Sequence, residues 1–249
     1  MTLTSFRRAI AAAAVVSLSV SLTACGSDEE PSEDQTSVTS SDPTPSDESD
    51  AVVLDEDQMT PALLTLDDLP AGFAVDPDDS DDSEGGFEGS CLEDVSNLTD
   101  QPEFDADEEV EASYVLEGDA GQSSVESQVQ SYADAQQITS AISMFSEAVG
   151  ACESAQGTDA DGFTYDLEVL LDQTASLEGV DEQAQVSITG TLSTEGLELP
   201  VDIGFDVARA GNNLVIISTI DVGEAGEGIV AQTDALAQVS VDRLAEITG

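Results

Sequence analysis

The residues best able to do chemistry in this chain are its three cysteines, and their positions, Cys25, Cys91 and Cys152, divide them into one and two. Cys25 closes Leu22-Thr23-Ala24-Cys25, which follows Arg7-Arg8 and an apolar run from Ala9 to Leu22. A basic start, a short apolar stretch and small residues before a cysteine mark a cleaved lipoprotein signal, because a membrane span would need about 20 apolar residues. Residues 1–24 are therefore expected to be removed. Cys25 would then carry a diacylglyceryl group that anchors the protein to the outer face of the cell membrane. Cys91 and Cys152 remain. In an oxidising, exported setting this even remainder reads as one disulfide, with two buried thiols as the alternative.

The rest of the reactive inventory is mostly missing. Histidine is absent, which removes the usual general base, the Ser and Cys triads and the imidazole ligands of zinc or copper. Lysine is absent as well, so Schiff-base and phosphate-loop chemistry has no carrier. Tryptophan, the common stacking platform for sugars, is also missing. Paired carboxylates are abundant, but no pair stands out from the others. The expectation is a non-catalytic protein with no cofactor and no metal site. Gly157 to Glu168 matches an EF-hand loop at positions three, five, six and twelve. Gly157 at the first position, Thr164 at the eighth and strand-like alternation afterwards favour a helix-to-strand loop. Asp78 to Glu84 is an acidic run with the character of a solvated loop that could gather Ca²⁺ weakly.

Charge narrows the partners. The chain has 54 Asp and Glu against four Arg, for a formal net charge of −50. Two of those arginines lie in the signal, leaving Arg209 and Arg243. Such a surface repels nucleic acid and anionic headgroups, so nucleic acid is excluded as a partner. The expected contacts are the membrane, through Cys25, and a small-molecule, lipid or envelope ligand. The alternative is a structural or interaction protein of the envelope whose acidity serves cation binding or salt tolerance. Arg209, at a hairpin end, is the candidate for holding an anionic ligand; a salt bridge to nearby acids is the competing reading.

The elements that would position these residues follow from pattern. Residues 25–57 are Ser, Thr, Asp, Glu and Pro with few apolar residues, and read as a disordered tether. A single α+β domain is expected over 58–249. Thr65 should cap a helical turn stopped by Pro70, and a short strand should follow over Gly72 to Val75. Val110, Ala112, Tyr114 and Leu116 alternate, then Gly118 to Gly121 turns the chain into a second strand. Ile138, Ala141, Ile142, Phe145, Val149 and Cys152 recur at helical spacing. Strands are expected from Phe163 to Leu171, from Ala184 to Leu192, from Leu197 to Val207 and from Leu214 to Ile220. Pro200 places the start of the third at an edge, while the last is apolar on both faces and should be central, covered on both sides or closed within a curved sheet. A helix over Glu227 to Ile247 completes the chain. The expected fold is a curved antiparallel sheet with two long helices packed on one face and one disulfide.

Several of these segments resemble the extracellular sensor domain of mycobacterial receptor-type serine/threonine kinases. They are the lipobox and acidic tether, the entry segment Leu63 to Phe73, a cysteine at Cys91 and a strand-to-helix passage ending in Cys152. Arg209-Ala210-Gly211-Asn212 before an apolar strand, and the closing helix with Arg243-Leu244, complete the set. The resemblance covers most of Met59 to Gly249 and implies an α+β sandwich-like domain with a groove, a ligand-sensing role and no catalytic residues. The sensor domain of those kinases has two disulfides, whereas one pair is available here.

Overall fold

The computed structural model describes residues 52–76, 87, 89–118, 121–159, 162–174, 176–194, 196–223 and 228–249. The expected signal, Cys25, nearly all of the expected tether and most of the acidic loop from Asp76 to Gly89 lie outside them.

Order begins before residue 58. Leu54 is buried and its N–H donates to Ser131 Oγ at 2.9 Å. Asp55 caps the short helix α1 (Glu56–Met59): its Oδ1 accepts from Gln58 N, and Gln58 Oε1 accepts from Asp55 N in return. Leu54 and Asp55 lie in the stretch expected as tether, where a single leucine and a cap give no periodic signal. A 3₁₀ turn at Leu66–Asp68 follows Thr65 and ends before Pro70, as expected. Ser127 Oγ accepts from Leu64 N, and Tyr114 donates its hydroxyl to Leu64 O at 2.6 Å, so the entry segment is stitched to the sheet.

The sheet contains eight antiparallel strands: β1 (Ala74–Val75), β2 (Glu108–Gly118), β3 (Gly121–Ser131), β4 (Ser154–Thr158), β5 (Thr164–Asp172), β6 (Glu182–Thr194), β7 (Leu197–Ala210) and β8 (Asn213–Gly223). Their spatial order is β1-β2-β3-β8-β7-β6-β5-β4, an open sheet. The β2–β3 hairpin has the expected register, with Gly118 opposite Gly121. β8 is central, between β3 and β7. Residues 197–200 of β7 pair with β6 only, since pairing with β8 starts at Val201, so Pro200 does lie where one side of the strand is open. β4 was not legible: Ser-Ala-Gln-Gly-Thr carries one apolar side chain, Ala155, and its Gly157 reads as loop.

Pairing register divides the side chains between two faces. Ala184, Val207 and Ile216 stand abreast on one; Gln183, Ala208 and Val215 stand abreast on the other. Helix α3 (Ala135–Gly150) packs Ile138 and Ile142 against Ala184, Val207 and Leu214 on the first face. Helix α4 (Thr233–Thr248) packs Leu236, Ala237, Val241 and Leu244 against Val125, Val129, Ala208, Val215 and Ile217 on the second. The two long helices therefore lie on opposite faces, not on one as the sequence pattern led us to expect. Seven strand spacings make a sheet about 34 Å wide, and a helix covers about 10 Å of it. With β8 apolar on both sides, two helices on one face would leave half its side chains in water.

Candidate functional site

Helix α2 (Cys91–Ser96) opens with Ser90 as its cap, the hydroxyl accepting from Leu92 N. Cys91 at its start is joined to Cys152, just beyond the end of α3, in a disulfide with Cα atoms 5.4 Å apart. Cys152 is buried among Leu92, Val149, Ala155 and Leu167. The pair fastens α2 and α3 to the β4–β5 end of the sheet. It is a staple inside a core, which fits a structural disulfide.

Arg209 stands directly across from Glu182 in the β6–β7 ladder. Its Nη2 donates to Glu182 Oε1 at 3.0 Å, its Nη1 donates to Gly211 O at 3.0 Å, and Asp181 Oδ2 lies 3.6 Å from Nη1. Thr139 of α3 donates to the same Glu182 oxygen at 2.9 Å, and Gly211 N donates to Asp181 Oδ2. The guanidinium is thus held by two carboxylates of its own chain, tying the β7–β8 turn to the start of β6 and to α3. This is the salt-bridge reading of Arg209, and it leaves an outside anion to compete with two neighbouring negative charges.

Beside this cluster a cleft of about 390 Å³ opens between α3 and the start of β6. Thr139, Ile142, Ser143 and Ser146 line it from the helix, Gln173 and Asp181 from the β5–β6 connection, and Glu182 and Gln183 from the start of β6. Hydroxyls, amides and two acids make it a polar, negatively biased recess suited to a neutral or cationic polar molecule rather than an anion.

The EF-hand-like stretch does not fold as one. Gly157 and Thr158 belong to β4, and Glu168 pairs with Ser154 at the far end of the β4–β5 hairpin, away from Asp159 near its turn. Asp159 instead takes Phe163 N on Oδ1 at 2.8 Å. Among the described residues no group of three or more acids or cysteines is arranged to hold a metal. The acidic run Asp78 to Glu84 lies outside them.

One group escaped the sequence reading. Asp206 of β7 is completely buried beneath the start of α4. Gln183 Nε2 donates to both of its oxygens at 2.9 Å, while Gln183 Oε1 accepts from Ser176 N and Leu177 N. Nearby, Gln185 donates to Asp234 Oδ1, and Ser176 Oγ lies 3.3 Å from the other Asp234 oxygen. Burial pushes the Asp206 carboxyl up to about 7; the Gln183 hydrogen bond opposes that rise, and the charge of Asp234 adds to it. The available signal was the company Asp206 keeps: Gly204, Ala208 and Ala210 share its face, and small residues there let a helix approach closely.

No family model and no curated protein matches the sequence. The fold does have a solved counterpart, the extracellular domain of PknH from Mycobacterium tuberculosis. The two superpose with a TM-score of 0.51 at 15% identity, over 79% of this chain and 99% of that one. The fold is shared. The resemblance to a mycobacterial kinase's extracellular domain, first drawn from Leu63 to Phe73, Cys91, Cys152 and Arg209, thus holds at the level of structure. At this identity it is the fold, and not the residues of a site, that PknH and this chain have in common. Among the described residues no helix is long and apolar enough to cross a membrane.

Proposed function

We propose that this protein is an extracytoplasmic lipoprotein, held to the outer face of the cell membrane through a diacylated Cys25, whose single domain binds a ligand or envelope component without transforming it. The observation that carries the reading is the fold shared with the extracellular domain of PknH. The Cys91–Cys152 bridge supports it, because such bonds persist in oxidising compartments. The signal-like Leu22-Thr23-Ala24-Cys25 supplies the anchor. The absence of histidine and lysine argues for holding over catalysis. The cleft between α3 and the β5–β6 connection is the place where a small polar ligand would sit.

The anchor is tested by membrane fractionation with mass spectrometry of the N-terminal peptide. A lipid-modified Cys25 in the membrane fraction, and loss of that modification and of membrane retention in Cys25→Ala, is the expected result. An unmodified Cys25 would end the lipoprotein reading. Ligand binding is tested by native mass spectrometry of protein gently extracted from its own membrane. Repeated preparations free of any copurifying molecule would favour the alternative, a structural envelope protein whose acidity serves cation binding or salt tolerance.

A further inference from the structure

We infer that Asp206 is a pH-sensitive latch, which through Gln183 holds the β5–β6 connection against the sheet while its carboxyl is protonated and loosens it when it ionises. The inference concerns the domain itself and stands whether or not the cleft takes a ligand.

The geometry carries it. Asp206 is fully enclosed, and its carboxyl meets one donor group, the Gln183 amide. Each element packed around it offers a neutral or a negative neighbour. From β6 come Gln183 and Gln185; from β8, Ile217 abreast of it and Thr219 one pair along. The start of α4 supplies Thr233, whose hydroxyl meets that of Thr219 at 2.6 Å, and Asp234. From the connection come Ser176 and Leu177, held by Gln183. Among the described residues the one charged group facing Asp206 is therefore another carboxylate. Neither Arg209 nor Arg243 can help: Arg209 points to the opposite face of β7 and is bound to Glu182, and Arg243 is bound to Asp68. An ionised, fully enclosed Asp206 would thus sit beside Asp234 with no countercharge from the described residues.

Gln183 is the mechanical link. Its one side chain joins Asp206 to the backbone of Ser176 and Leu177. Relief of a buried charge requires water to reach Asp206, and the β5–β6 connection is the element tied to its carboxyl through Gln183. The sign is opposite to that of an ordinary paired carboxylate. Because the closed form keeps its proton up to about pH 7, closure is tightest in acid and weakens as pH rises toward that value, then levels off. No histidine obscures the window, since the chain has none.

The test uses the intact chain. The carboxyl carbon of Asp206, assigned by its loss in Asp206→Asn, is followed by NMR through a pH titration, and hydrogen exchange, corrected for intrinsic rates, is measured at pH 5 and pH 8. The expected result is a midpoint near 7. The opening equilibrium of the β5–β6 connection should rise toward tenfold per pH unit well below the midpoint and about a hundredfold in all between pH 5 and pH 8, with no such rise in Asp206→Asn. A midpoint below 5, or the same rise in Asp206→Asn, overturns the latch. Should Asp206→Asn fail to fold, Asp234→Asn is to lower the Asp206 midpoint and carry the exchange transition down with it; an exchange transition that stays in place overturns the latch equally.

Discussion

Arg243 and Asp68 form a two-pronged pair, Nη1 to Oδ2 at 2.9 Å and Nη2 to Oδ1 at 2.8 Å, across 175 positions of the sequence. The same Nη1 also donates to Leu63 O at 2.8 Å. One side chain of α4 thus fixes the entry segment to the body of the domain. Burial alone would raise the Asp68 carboxyl, but hydrogen bonds from Arg243 and Thr65 outweigh it and hold the group below its ordinary value of 3.8.

Arg243→Ala is expected to cost about 1–3 kcal/mol, read from urea unfolding at neutral pH, because it leaves Asp68 partly buried without its cation. Arg243→Lys keeps the charge and loses one prong, so it should recover only part of that loss. The sign of the pH effect follows from the lowered pKa. The stabilisation is present above the unfolded value of 3.8 and is lost as pH falls through the folded one, so wild type and Arg243→Ala converge in acid. A gap unchanged in acid would mean that Arg243 acts through packing and not through Asp68.

The Cys91–Cys152 bridge spans 61 positions, and its removal is expected to lower stability by about 2–5 kcal/mol. Thermal unfolding with and without reductant measures this, and Cys91→Ser with Cys152→Ser should reproduce the reduced protein. Alkylation of the unreduced protein should add no mass at either cysteine. Two added groups would show free thiols.

Much of this was visible in the sequence. Tyr114 and Val125, Tyr165 and Leu167, and Ile138 with Ala141 all fall on the buried side that alternation or helical spacing assigned to them. Those patterns report which side of an element is buried, and say little about which element covers it. The side of the sheet taken by α3 was therefore misjudged, although β8 held the correction: with Val215 and Ile217 on one face and Leu214 on the other all buried, a cover on each side was required. β4 was missed because a strand pinned by a disulfide and a neighbour's ladder needs few apolar residues of its own. Asp206 was missed for a different reason. An acid between apolar residues reads as the solvated side of a strand, and only tertiary packing by α4 reveals that it is buried.

Salt should stabilise the protein. With a formal charge of −50, self-repulsion opposes the compact state, and screening at higher ionic strength relieves it. The melting temperature is expected to rise with NaCl between low salt and about 1 M, where the screening length has fallen to about 3 Å. Millimolar Ca²⁺ at matched ionic strength should add nothing further, since the β4–β5 hairpin separates Asp159 from Glu168. A saturable extra rise with Ca²⁺ would point to a specific site.

Two glycines test how closely the layers approach. At Gly190 of β6 an added Cβ would be driven into the carbonyl oxygen of Asp166 and come within 2.9 Å of Leu167 Cα, all backbone of the neighbouring strand. At Gly204 of β7 it would meet Thr233 Oγ1 at 2.5 Å and Thr219 Oγ1 at 2.9 Å. Those hydroxyls can rotate aside, at the expense of the hydrogen bond between them. Gly190→Ala must instead part β5 from β6. Overpacking of this kind costs about 1–3 kcal/mol, so Gly190→Ala is expected near the top of that range or beyond, and Gly204→Ala near the bottom. Urea midpoints of the two variants decide the order. If Gly204→Ala is the more damaging, the contact between α4 and the sheet, rather than the β5–β6 pairing, is the tighter of the two.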